Sequence, residues 1–213
     1  MTGRSWSLYW ASRATTVFVL AWAAGLLVVL TTGLTVLELA FIGGKVPRYV
    51  PLWEAVPVTV AAVGAGALAP RMRSWETGGR PALHARAGVA AVTALVLPGL
   101  LPWLAHVVVL PSQTRWWDIV WNVVTLASVA LVATAMGGRV VGPLVALGCY
   151  VATMVLQHWR PDLAHWVPLS GSPGNLEPHI VPAVLASGVA VATWSYTLGC
   201  SRWAARTWRN DTG

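Results

Sequence analysis

Residues 15–42, TTVFVLAWAAGLLVVLTTGLTVLELAFI, carry one charged side chain, Glu38, in a stretch longer than the roughly 20 residues that cross a hydrocarbon core. Five more apolar stretches follow at Pro51 to Ala69, Leu83 to Leu110, Ile119 to Met136, Val140 to Leu156 and Ile180 to Cys200. The fourth and fifth stretches are the shortest and lean on their flanks. Together the six predict an all-α integral membrane protein, with residues 1–213 as a single transmembrane domain. The first stretch exceeds a signal-peptide core and ends without a small-residue cleavage site, so it is expected to stay in the membrane.

The cations set the orientation. Of the 14 Lys and Arg, the inner set is Arg4, Arg13, Arg71, Arg73, Arg80, Arg86, Arg139, Arg202, Arg206 and Arg209 if both termini are cytoplasmic. Only Lys45, Arg48, Arg115 and Arg160 then fall outside. Connecting segments this short obey the positive-inside rule, so both termini are expected in the cytoplasm of a multi-pass protein in a cell membrane.

The composition agrees. The chain is 56% hydrophobic and 10% charged, where a soluble domain averages roughly a quarter charged. Its net charge of +7 does not imply nucleic acid. The arginines stand at span ends, where anionic headgroups attract each by about 1 kcal/mol, and not in a stripe on a soluble domain. Membrane lipid is the expected partner.

The connecting segments carry the remaining signals. Thr2 to Ala14 mixes Trp6, Leu8, Tyr9 and Trp10 with Arg4 and Arg13, which predicts an N-terminal interfacial helix or an aromatic belt ahead of the first span. At the other end, Arg202, Trp203, Arg206, Trp208 and Arg209 read as an interfacial anchor. Between spans two and three lies PRMRSWETGGRP, residues 70–81, the one substantial inner loop. Ser74 is placed to cap a turn opened by Trp75 and Glu76 and closed by Gly78 and Gly79. Either a solvated connection or a grip for a cytoplasmic partner fits it.

The third span contains PGLLP, in which Pro98 and Pro102 remove two amide donors and are expected to kink or break the helix. His106 follows one turn later, and Glu38 is expected near the same depth in the first span. Ionisable groups inside a bilayer are candidates for a pathway, so Glu38, Pro98, Pro102 and His106 form one candidate set. The small residues Gly64, Gly66 and Gly88 allow close helix approach. The outer segment Gln157 to His179, with His158-Trp159 and His165-Trp166, reads as an interfacial or re-entrant helix followed by turn-rich coil.

Catalytic and cofactor chemistry is not expected. His84 is cytoplasmic on this topology and His106, His158, His165 and His179 are scattered outside, which lacks the paired ligands of a haem or zinc site. Cys149 and Cys200 read as buried thiols. No span holds a nucleophile with a base or an H-E-x-x-H motif. The single lysine, Lys45, follows Gly43-Gly44 but precedes Val46, where a phosphate loop needs Ser or Thr. The chain is therefore expected to lack ATPase activity of its own.

The order of interfacial segment, six spans, inner loop after span two and outer segment before span six resembles the six-span permeases of bacterial ATP-binding-cassette exporters. It is similar in particular to small Trp- and Arg-rich permeases of actinobacterial peptide or antibiotic clusters, with WNVVTLASVALVATAMGGRVVGPLVALGCY, residues 121–150, the most similar stretch. The resemblance implies a cytoplasmic coupling helix within Arg71 to Ala85, so Arg71, Arg73, Trp75, Glu76, Arg80 and Arg86 would meet an ATPase. It also implies separate cytoplasmic ATPase subunits, a second permease subunit, identical or related, and a place in the bacterial cell membrane. The brief outer loop between spans one and two fits an immunity or accessory permease. The alternative is a non-transporting scaffold or accessory subunit of another membrane complex, which would co-purify with a membrane enzyme and not with an ATPase.

The cation partition makes the topology testable. In a background lacking Cys149 and Cys200, an impermeant thiol reagent applied to intact cells should label Asn175→Cys and spare Arg80→Cys. The reverse pattern would overturn the orientation.

Overall fold

The computed structural model describes residues 9–32, 35–39, 48–70, 81–109, 116–160, 180–201 and 203–204. Its described residues form six long helices and one two-stranded ribbon: α1 (Thr15–Thr32), β1 (Val36–Leu39), β2 (Arg48–Pro51), α2 (Leu52–Leu68), α3 (Pro81–Val108), α4 (Trp116–Gly137), α5 (Val141–Trp159) and α6 (Ile180–Thr197). Helices α1, α3, α4 and α6 are long and apolar enough to cross a membrane, while α2 and α5 are shorter apolar helices.

The first span is shorter than its hydropathy implies. Helix α1 ends at Thr32, and 36–39 pair antiparallel with 48–51 in the register Val36 to Pro51, Leu37 to Val50, Glu38 to Tyr49 and Leu39 to Arg48. The chain is thus helical with a β-hairpin, not all-α, and residues 36–39 are no part of a span. The cause lies in TTG at 31–33. Thr31 and Thr32 turn their hydroxyls back onto the Leu27 and Val28 carbonyls at 2.8 and 2.7 Å, and two β-branched residues before a glycine propagate a helix poorly. A strand of apolar residues then reads by hydropathy as more helix.

Helices α2, α3 and α4 pack pairwise as a central trio. Each groove between two of them holds one outer helix: α1 against α2 and α3, α5 against α2 and α4, and α6 against α3 and α4. On α3, Ala87, Ala91, Ala94, Pro98, Leu101 and Ala105 are buried at alternating steps of four and three, a seam that keeps one face inward. Helix α4 is buried around most of its circumference. The outer helices turn large apolar side chains outward, such as Leu20 and Leu27 on α1 and Val184 and Leu185 on α6. That is the pattern of helices whose outer faces meet lipid.

The core is small-residue packing. Ala61, Ala62, Ala65, Ala87, Ala91, Ala94, Ala127, Ala130, Ala135, Ala146 and Ala190 are buried around Phe18, Leu68, Leu131 and Trp194. In hydrocarbon, burying a larger apolar side chain gains little over leaving it in lipid, so close van der Waals approach through small residues holds helices together. The glycines mark the tightest places. A Cβ on Gly64 would stand 2.5 Å from the Phe18 ring, one on Gly25 2.6 Å from Val60, and one on Gly66 2.6 Å from the Arg139 carbonyl oxygen. Gly88 faces the Ser195 hydroxyl at 3.1 Å.

The α1–α2 contact is therefore sensitive to volume. Gly64→Leu should destabilise the protein by about 1–3 kcal/mol or more, with partial recovery on adding Phe18→Ala. Gly148→Ala, whose Cβ would meet nothing within 4 Å, should be neutral. Thermal unfolding in detergent reads all three.

Candidate functional site

One end of the bundle gathers the described inner arginines. The first residues before α1, the ends of α2 and α4, the start of α3, the turn before α5 and the end of α6 all meet there. The amide of Ala14 donates to the Ala67 carbonyl at 3.0 Å, and that of Ser201 to the Ala135 carbonyl at 2.6 Å. The Ser201 hydroxyl reaches the Met136 carbonyl at 3.3 Å. His84 Nδ1 bonds the Ser195 carbonyl at 2.8 Å, which ties the start of α3 to α6.

Helix α6 closes with two reverse bonds. Gly199 donates to the Trp194 carbonyl at 2.9 Å and Leu198 to that of Ser195 at 3.4 Å, the paired pattern of a Schellman cap. Leu198 has φ 56° and Gly199 φ 82°. A leucine in the left-handed region costs roughly 1–2 kcal/mol, and the surroundings hold it there. Its carbonyl accepts from Arg13 Nη2 at 3.4 Å, and the Arg13 guanidinium lies 4.0 Å above the Tyr9 ring. Tyr9 and Arg13 are 4% and 3% exposed. In the described part of the expected interfacial segment, residues 9–14, Tyr9, Arg13 and Ala14 are packed against the bundle end.

The expected coupling residues divide. Arg86 stands near the start of α3, half-buried and partnered. Arg71, Arg73, Trp75, Glu76 and Arg80 lie outside the described residues, as does the outer segment beyond Arg160 up to His179.

The expected pathway set does not come together as a site. Glu38 is exposed on β1, opposite Tyr49 in the hairpin. His106 stacks on Trp116 with ring centroids 5.6 Å apart, and Trp116 stacks on Trp117 at 3.8 Å. No ion pair joins Glu38 to His106 among the described residues. Pro98 and Pro102 are fully buried inside α3, which runs unbroken from Pro81 to Val108. The helix is not broken at PGLLP, which neighbouring helices enclose. Trp22 on α1 donates its indole N–H to the Leu97 carbonyl at 2.7 Å, in the stretch where the prolines thin the hydrogen-bond ladder.

A second polar set was not visible in the sequence as a unit. Glu54 on α2, Asn122 on α4 and Tyr150 on α5 are 2%, 2% and 5% exposed. They border one apolar cluster of Val50, Val58, Ile119, Val123, Leu126, Tyr150 and Met154. Val50 on β2 precedes Glu54 by four residues and Val58 follows it by one helical turn, and Ile119 and Leu126 flank Asn122 by about a turn to either side. Each of the three polar residues makes at least one hydrogen-bonding, ring or electrostatic interaction. The signal available beforehand was Asn122, the one amide side chain in α4.

With this geometry in place, comparison with known proteins adds no relative: no family model, curated protein or solved structure matches the chain.

The Trp22 bond carries a measurable consequence. Trp22→Phe keeps an aromatic ring and removes the donor, so it should cost about 0.5–1.5 kcal/mol in thermal unfolding. Trp103→Phe, at a side chain 41% exposed on α3, should cost nothing measurable.

Proposed function

We propose that the chain is the membrane subunit of an ATP-driven exporter or immunity transporter in the bacterial cell membrane, for a peptide, antibiotic or lipid-like substrate. On this reading all six helices span the bilayer, with both termini and the arginine-bearing end in the cytoplasm. Separate ATPase subunits supply the energy, and a second permease subunit, identical or related, completes the transport path.

One observation carries the reading. The connection between α2 and α3 leaves and rejoins the bundle at the end where residues 9–14, the end of α4, the turn before α5 and the cap of α6 are bonded together. A force applied to that connection reaches two of the three central helices directly, and the third, α4, through its packing on both. Packed cores respond to such a push as bistable units and not by gradual deformation.

The energy source follows from the same sequence. Lys45 without a following Ser or Thr makes no phosphate loop, so the isolated chain performs no ATP hydrolysis. The role of the α2–α3 connection is mechanical, with Trp75 as the side chain inserted into a groove of the ATPase. Tryptophan is enriched among interface hot spots, where truncation typically costs about 2 kcal/mol or more.

Replacing Trp75 and Glu76 together by alanine tests this. The double variant should insert normally in the membrane but lose co-purification with its ATPase and lose export or resistance. A double variant that co-purifies at full yield and works normally would reduce the segment to a plain connection.

A further inference from the structure

The set at Glu54, Asn122 and Tyr150 has no part in the mechanical role above. Glu54 stands in the first turn of α2, where a carboxylate ordinarily meets water and the amides of a helix start. Here it is 2% exposed. Strand β2 runs straight into α2, and its Val50 belongs to the cluster around the carboxyl, so the hairpin lies over this helix start. The result is an ionisable group enclosed by protein near the outer end of the bundle, with an amide and a phenol bordering the same cluster. Ionisable groups held this way inside membrane proteins commonly mark ion or proton pathways.

The donor set selects the ligand. A hard metal cation takes six or more oxygen ligands, and among the described residues no group of three or more His, Cys, Asp or Glu stands together to hold one. A proton needs one oxygen. We propose that Glu54, with Asn122 and Tyr150 around the same apolar cluster, is a proton-binding site: the carboxylate takes one proton from water on the hairpin side to give the neutral acid, and returns it by the reverse step. No other bond forms or breaks. Adding or removing one unit of charge in a low-dielectric interior is a large perturbation to the packing of α2, α4 and α5, so occupancy by a proton sets the arrangement of these three helices at their hairpin end.

Other titratable or charged groups stand at the same end of the elements packed on α2. They are Cys149, Tyr150 and Arg160 with α5, Asp118 on α4 and His106 on α3. Arg48 and Tyr49 on β2 and His158 on α5 have side chains outside the described residues. Helix α1 brings none. Specificity for Glu54 therefore has to come from a signal that identifies a carboxyl.

Infrared difference spectroscopy on the purified full-length chain, taken between about pH 5 and about pH 8, supplies that signal. Wild type should show the carbonyl stretch of a protonated, buried carboxyl, Glu54→Gln should lose it, and Asp118→Asn should retain it. Tyr150→Phe, which keeps the ring, should move the band or displace its midpoint by about one pH unit. A wild type without the band, a band that survives in Glu54→Gln, or a band unmoved by Tyr150→Phe overturns the site. If Glu54→Gln does not fold, Glu54→Asp replaces it: the band must then change frequency, and an unchanged band overturns the assignment. No ATPase takes part, so failure here is separate from failure of the transporter reading.

Discussion

Close approach of helices through small side chains is the constraint on which the rest of this structure depends. In water a helix packs because its apolar face escapes solvent; in hydrocarbon that gain largely disappears, and attraction between helices comes from van der Waals contact at short range. The alanine seam of α3 and the alanines of α2 and α4 meet this requirement with side chains that lose no rotamer freedom on packing. The larger groups, Phe18, Leu131 and Trp194, fit into spaces the small ones leave, as Phe18 does over Gly64. The three-plus-three arrangement follows: three helices that approach closely form three grooves, and each groove takes one helix.

The same setting governs the polar groups of the helices. A backbone carbonyl freed inside hydrocarbon has to find a donor within the protein. Side-chain donors inside the bundle likewise find acceptors there: Trp22 donates to the Leu97 carbonyl, and Thr31, Thr32, Thr59, Thr93, Thr125, Thr153 and Thr197 turn their hydroxyls onto carbonyls of their own helices. Beyond the end of α6 the chain leaves the helix through two successive residues with positive φ. The carbonyl thereby exposed at Leu198 meets Arg13, which explains both the burial of an arginine and the tolerance of a left-handed leucine. Local strain and buried charge are adjacent, and each makes the other acceptable.

Hydropathy located the helices well because their composition is apolar throughout, and the ends of α2, α3, α4 and α6 fall within a few residues of the stretches read from sequence. It failed at residues 36–39, read as part of the first span, where VLEL pairs with RYVP at 48–51. Three apolar residues around one glutamate carry no period that distinguishes strand from helix when a helix precedes them. Within the candidate set of Glu38, Pro98, Pro102 and His106, it is the placing of Glu38 inside the first span that the strand corrects. Arg13 was legible as a cation at an inner end, but its burial against Tyr9 and Leu198 depends on a contact 185 residues away in the chain, which no local pattern encodes.

Glu54 shows the same limit from the opposite direction. At the edge of an apolar stretch a carboxylate reads as solvated, and only the fold, by laying β2 across the start of α2, makes it an interior group. Removing a charge from water is costly, and sequences retain such a group where its partners offset that cost or where its change of charge has a use. A carboxyl adds one property, reversible gain of a proton, and its position between three helices is where that property moves the most structure. The two ends thus bury charge differently: Arg13 lies beside the Leu198 carbonyl and the Tyr9 ring, while Glu54 is enclosed at the start of α2 with Val50 and Val58 four residues to either side of it in the chain.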